Sequence, residues 1–318
     1  MGVGDEGRLR RWGIRLLQLV LTVVVTGFIV DRVGLTTEDL AALDRRWLRP
    51  SWGFLAGASG VLVAGFGVSA LLWERMVREL GGPRLGPLEA SRIYFTSNLG
   101  RYVPGKVWQL AGLAYLARRA GVRASRATAA AILGQASSIG GATLLGAWAL
   151  AGTARPLGGW GPWLAGGITV LVLVATVPSI FRPAIGLWLR LGRETEPGEV
   201  ETGPLFGLRW ILLFAGNWTL YAGSFVLLAR SFGVPGGAAE LGASFAAAYV
   251  LGYLMVFAPA GIGVREGFLV AFLLPLTGAG PAAALAVVAR FWMTVLELVP
   301  ALAFAGAGLA GAGRGRRG

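Results

Sequence analysis

Six stretches of this chain, residues 16–30, 52–73, 127–154, 156–181, 210–229 and 241–264, carry no charged side chain at all. Most reach or approach the roughly 20 residues needed to cross a bilayer as a helix. No other sequence feature constrains the fold as tightly. In lipid every backbone polar group must be satisfied within the protein, so apolar runs of this length fold as helices that pack on one another. Composition agrees: the 318 residues are 55% hydrophobic and 14% charged, against about 25% charged in soluble domains.

A seventh apolar region, 267–313, is divided by Pro275, Gly278, Gly280 and Pro281 into two segments. The expected fold is therefore an all-α polytopic bundle of about eight transmembrane helices. The N-terminal run follows Arg8, Arg10, Arg11 and Arg15 and leads into Asp31-Arg32-Val33 without a small-residue cleavage site. This reads as an uncleaved signal-anchor. With the N-terminus inside and the spans alternating, the inner side receives 21 basic residues and the outer loops 6. That bias places both termini in the cytoplasm, in a multi-pass protein of the cytoplasmic membrane. The longest hydrophilic stretches are too short for a core of their own. The chain then forms one integral membrane domain, 1–318, with halves 1–181 and 209–318 joined by a cytoplasmic linker, 182–208. The halves are candidates for two inverted four-helix units.

Cysteine and histidine are absent. This excludes disulfides, thiol nucleophiles, Cys/His zinc sites and imidazole bases. No nucleotide loop, catalytic triad or paired-carboxylate pattern occurs, so no catalytic residue, metal or cofactor is assigned. The net charge of +13 fits anionic headgroups better than nucleic acid once the membrane context is included. Lys106 is the only lysine, and an arginine-favouring codon bias explains most of the remaining basic positions.

Two stretches interrupt this pattern, one in each half. The first runs Asn98-Leu99-Gly100-Arg101-Tyr102-Val103-Pro104-Gly105-Lys106-Val107-Trp108-Gln109. It lies within 88–117, which is too charged for a simple span and too apolar for a free loop, so a re-entrant or interfacial hairpin broken at Pro104-Gly105 is expected. The second is Pro259-Ala260-Gly261-Ile262-Gly263-Val264-Arg265-Glu266-Gly267. Irregular backbone survives at membrane depth only when buried in protein or lining a wet cavity. Paired breaks in the two halves are a pointer to a transport site.

Arg101 and Lys106, with Asn98 and Gln109 nearby, combine cations with freed amides and suit an anion such as phosphate. The competing reading is that both cations snorkel to headgroups. Arg265 and Glu266 are helical neighbours that point about 100° apart. Each is expected to find a partner elsewhere, Glu266 at Arg101 or Lys106 and Arg265 at a lipid phosphate; mutual neutralisation is the plainer alternative. Arg290 and Glu297, seven residues apart on one helical face, serve either a structural ion pair or the transport path. Gln135, Ser137, Ser138, Asn217 and Tyr221 read as helix–helix hydrogen-bonding residues.

At its two broken motifs the sequence resembles the lysylphosphatidylglycerol synthase transmembrane-region family, whose members are also called flippase-like domain proteins. The resemblance extends over nearly the whole chain, and Arg290 sits where members tend to carry an arginine. It implies a membrane domain that moves an aminoacylated phospholipid made by a separate soluble domain, which this sequence does not carry. Synthesis is therefore not the expected activity. The expectation is a translocator of an anionic phospholipid or isoprenoid-phosphate lipid, with membrane lipids and a separate lipid-modifying enzyme as partners. Arg101, Lys106 and Arg265 would hold the phosphate and Glu266 would balance charge in the empty site. The alternative is an enzyme or accessory subunit in lipid-linked aminoacyl or glycosyl transfer, with Glu266 as base.

Overall fold

A computed structural model describes residues 49–102, 107–153, 161–174, 203–254 and 263–314, with isolated positions at 183 and 186. The expected first span at 16–30 and most of the linker lie outside these residues. Nine α-helices and no strand occur among them. They are α1 (Trp52–Glu79), α2 (Pro87–Asn98), α3 (Val107–Arg119), α4 (Ala124–Thr153), α5 (Gly161–Val174), α6 (Phe206–Ser231), α7 (Ala238–Leu254), α8 (Val264–Thr277) and α9 (Ala279–Arg314). The protein is a helical membrane bundle.

Among the described residues four stretches are long and apolar enough to cross a bilayer: all of α1 and α6, and the segments Ala124–Ala147 of α4 and Ala279–Ala305 of α9. At most 44% of the residues in their apolar windows are buried inside the protein. Large side chains such as Trp163, Phe291 and Leu171 point outward, as expected where the surrounding solvent is hydrocarbon rather than water.

Two fixed points define the ends of the bundle. At one end Glu79 accepts hydrogen bonds from Arg209 and, at 2.9 Å, from the Trp210 indole. At the other, the Ser51 amide donates to the Ser231 carbonyl at 2.8 Å. So α1 and α6 run antiparallel along their lengths. The first end also holds Arg75, Arg78, Arg118, Arg119, Arg123 and Arg126 and is called the basic end below.

Between α1 and α4 the chain makes a re-entrant hairpin. Its feet are both at the basic end, since α2 follows the turn after Glu79 and Arg126 of α4 donates to the Gly81 carbonyl in that same turn. The expected break point, Pro104-Gly105, lies outside the described residues, but regular helix is interrupted on both sides of it. α2 ends at Asn98, a 3-10 turn covers Leu99–Tyr102, and α3 starts at Val107. A helix of twelve residues carries the tip about 18 Å into the bundle. There a Cβ at Gly100 would fall 2.6 Å from the Gln109 amide nitrogen, so the two arms close only around a residue without a side chain.

The second break forms a hairpin from the opposite end. Within the expected run 241–264, α7 is described as far as Leu254, residues 255–262 lie outside the described residues, and α8 opens at Val264 behind the Gly263 cap. Gly252 of α7 packs on Arg265 of α8, while Phe272 packs on Ala243 and Ala247. The arms are thus antiparallel, with the break inside the bundle and both feet near the Ser231 end. Pro275 lies within α8, and the division from α9 falls at Gly278, whose φ of +82° suits glycine.

Small residues let these helices touch backbone to backbone. A Cβ at Gly141 of α4 would sit 2.5 Å from the Ala215 amide of α6, and one at Gly146 would sit 2.8 Å from the Ala247 amide of α7. Such close approach is how membrane helices gain dispersion energy without a hydrophobic driving force. Apolar clusters fill the space on either side, around Leu62, Phe225, Phe245 and Leu285 in one and Trp73, Met76, Ile93 and Trp210 in the other.

Gly141→Ala is expected to destabilise the detergent-solubilised protein by about 1–3 kcal/mol through overpacking. Gly216→Ala, where nothing lies within 4 Å of the added carbon, is expected to be neutral or stabilising by up to about 1 kcal/mol. Thermal unfolding of the two variants side by side checks the contrast.

Candidate functional site

Both hairpin tips reach the same face of α9. Arg290, Met293 and Glu297 follow one another at helical spacing on that face, and each meets a residue from a broken segment. Arg101, in the 3-10 turn of the first hairpin, places Nη1 at 2.5 Å from Glu297 Oε1. Glu266, in the first turn of α8, places Oε1 at 3.6 Å from Arg290 Nε. Arg265 directs Nη2 toward Met293 Sδ at 3.1 Å. The helical rise separates Arg290 from Glu297 by about 10 Å, so one cluster holds charge from both breaks.

Local structure explains each placement. Phe95 of α2 stacks on Phe304 of α9, with centroids 5.8 Å apart and planes at 18°, which docks the first hairpin one helical stretch below its ion pair. Across the tip, Gln109 Nε2 donates to Asn98 Oδ1 at 2.8 Å. These two amides, expected to offer hydrogen bonds to a ligand, bond each other and clasp the arms. Gly263 caps α8 with φ +83°. Its amide donates to Glu266 Oε2 at 2.7 Å, so Glu266 uses one carboxylate oxygen as helix cap and turns the other toward Arg290.

Arg265 is held differently. Its guanidinium lies over the rings of Phe245, at 4.9 Å, and Tyr249, at 5.1 Å. Among the described residues no carboxylate lies within 4.0 Å of it. Aromatic faces offer a desolvated cation on the order of 2 kcal/mol, less than a tight ion pair, so Arg265 is the cation of the cluster with most to gain from an added anion. Gly252 is what lets it sit there, since a Cβ at that position would fall 2.6 Å from Arg265 Cβ.

An aromatic wall extends the site. Tyr249 stacks with Tyr253 and meets Trp218 edge-on at 4.7 Å. Beyond it, Tyr221 bonds Ser69, and Asn217 Nδ2 donates to Ser69 Oγ at 2.8 Å. Trp218 donates to Ser138 at 3.0 Å. Asn217, Tyr221 and Ser138 thus join helices to one another.

The expected pairing of Glu266 with Arg101 needs correction, while the alternative with Lys106 lies outside the described residues. Arg101 lies with Glu297, and the cation facing Glu266 is Arg290, because the second hairpin approaches α9 closer to its start. Lys106, Pro104, Gly105, Pro259 and Gly261 lie outside the described residues. Phe245, Tyr249 and Met293 were not singled out from sequence. Met293, three residues after Arg290 and four before Glu297, is the one that helical spacing alone brings to the same face. No group of three or more acidic residues that would hold a metal ion occurs among the described residues.

Two experiments test this wiring. Arg101→Ala and Glu297→Ala, combined in a double-mutant cycle of unfolding free energy, are expected to couple by about 0.5–3 kcal/mol. Gly252→Ala is expected to displace Arg265 and cost about 1–3 kcal/mol, read by thermal unfolding.

Comparison with known proteins agrees with this architecture. No curated protein matches the chain. The family model described as lysylphosphatidylglycerol synthase TM region matches residues 15–301. That match spans both broken hairpins and all of the charged cluster. The chain therefore belongs to the lysylphosphatidylglycerol synthase transmembrane-region family, a multi-pass membrane protein family concerned with lipid.

Proposed function

We propose that this protein moves an anionic lipid headgroup across the membrane, through the junction of its two broken hairpins. The observation that carries this reading is the cluster on α9, where three arginines and two carboxylates meet. Charge at membrane depth is expensive, and where it persists it marks pathways for ions and polar substrates. The family description names a phospholipid, and the cluster holds one more positive charge than negative.

In this reading the lipid phosphate lands on Arg265, the arginine held by aromatic faces. Arg101 is a second ligand, released from Glu297 as the headgroup arrives. The two ion pairs neutralise the site when it is empty, and exchange of a carboxylate for a phosphate keeps the charge count low as the lipid passes. The hairpins enter from opposite ends, so a headgroup leaving one leaflet meets one tip first and the other next. The acyl chains stay in lipid along the exposed faces of the helices. Lys106, next to the first tip in sequence, is assigned to the same headgroup. The 21-to-6 bias of basic residues supports a cytoplasmic-membrane protein with both termini inside. A separate lipid-modifying enzyme would supply the modified headgroup.

The test is leaflet exchange of tail-labelled phosphatidylglycerol in phosphatidylcholine vesicles, followed by dithionite quenching. Wild-type protein is expected to accelerate exchange. Arg265→Ala is expected to slow it at least tenfold, with the protein still folded by thermal unfolding. Unaltered exchange in Arg265→Ala removes the site assignment. Product formation from lipid and an activated donor would instead favour the transfer-enzyme reading.

A further inference from the structure

Glu266 stands beside the proposed phosphate ligand, and its contacts are of an unusual kind for a carboxylate at membrane depth. One oxygen accepts the Gly263 amide at 2.7 Å. The other lies 3.6 Å from Arg290 Nε, beyond hydrogen-bond distance, so the pair attracts without a shared proton. The Arg101–Glu297 pair, at 2.5 Å, is much tighter. Glu266 faces Arg290 on α9, and its neighbour Arg265 on α8 feels the charged and titratable groups Arg290 and Glu297 on α9, Glu266 itself, and Tyr249 on α7. Arg101 completes the set from the first hairpin through its bond to Glu297.

An anion seated on Arg265 arrives next to the Glu266 carboxylate, and two like charges at that distance repel strongly in a low-dielectric site. Arg290, loosely held, swings its attraction toward the phosphate, which leaves Glu266 with less compensation. Protonating Glu266 removes the repulsion without disturbing the fold. The neutral acid still has a carbonyl oxygen to accept the Gly263 amide, so the α8 cap survives, and its new O–H can donate to a phosphate oxygen. Glu297 lacks this freedom, because its carboxylate is engaged closely by Arg101.

Resting on the translocation reading above, we infer that a monoanionic headgroup crosses together with one proton carried on Glu266. The proton is taken from water on the loading side, joins the carboxylate as the phosphate binds, and returns to water when the phosphate leaves. The headgroup contributes one negative charge and the proton one positive, so the step transfers no net charge. A headgroup moving without its proton would instead carry one charge through the membrane field. At 100 mV that shifts its leaflet ratio by about 50-fold.

The experiment uses full-length protein in phosphatidylcholine vesicles whose tail-labelled phosphatidylglycerol is introduced into the outer leaflet only, so that exchange begins as net inward movement, with a pH indicator in the lumen and a potassium diffusion potential of about 100 mV. In wild type the lumenal pH is expected to shift with exchange, and the leaflet ratio is expected to ignore the potential. Glu266→Gln keeps an oxygen for the Gly263 amide, and its exchange is expected to be slower than that of wild type but measurable. It should lose the pH signal and acquire a voltage response approaching 50-fold. Wild-type exchange with no pH shift and a full voltage response overturns proton coupling while leaving the headgroup reading intact. A Glu266→Gln protein indistinguishable from wild type overturns the assignment to Glu266. If wild type gives no exchange at all, the translocation reading itself falls. The wild-type voltage measurement decides the matter even where the variant does not fold.

Discussion

Everything distinctive in this bundle depends on one face of α9 supplying partners for charge that the two broken segments bring to membrane depth. A break in a helix leaves amides and carbonyls without partners, and hydrocarbon cannot satisfy them. A charged side chain beside the break adds a further cost of several kcal/mol. Both demands are met here by protein. Glu266 caps the start of α8 and faces Arg290, Arg101 finds Glu297, and the Asn98 and Gln109 amides close on each other across the first tip.

Glycine sets how closely these parts approach. Gly100 lets the arms of the first hairpin touch, Gly252 makes room for Arg265, and Gly141 and Gly146 bring α4 against α6 and α7. The same residue type thus packs the scaffold and positions the site. Stability and function are coupled through that packing, because a shift of one helix by the width of a methyl group also moves a charged tip. The two pairs differ in kind as well. The Arg101–Glu297 pair is short and bonded, whereas the Glu266–Arg290 pair is open and the Arg265 guanidinium rests on rings and a thioether. The headgroup exchange proposed for this site would draw on such a gradient from fixed to exchangeable contacts.

Much of the fold was legible without coordinates. Uncharged runs located α1, α4 and α6 to within a few residues, since long apolar helices in lipid leave no other solution. The interruption between Asn98 and Val107 was legible because glycine, proline and charge coincide there. The division of the last region was legible too, though Gly278 makes the turn and Pro275 stays helical, as a proline can be near a helix end whose neighbours resatisfy the backbone. The opening of α8 behind Gly263 was legible as well, because glycines gather there directly before Arg265 and Glu266.

By itself the sequence determined that charge and irregular backbone would lie at membrane depth in both halves, because composition and chain order settle which residues enter lipid. It also set Arg290, Met293 and Glu297 on one face, since helical periodicity is a local property. Pairing is not local. Which cation meets which carboxylate depends on how far each hairpin reaches along α9 and from which end it enters, and glycine contacts between distant helices fix those distances. Only the tertiary structure could therefore give Glu297 to Arg101 and Arg290 to Glu266, and leave Arg265 on aromatic faces beside them.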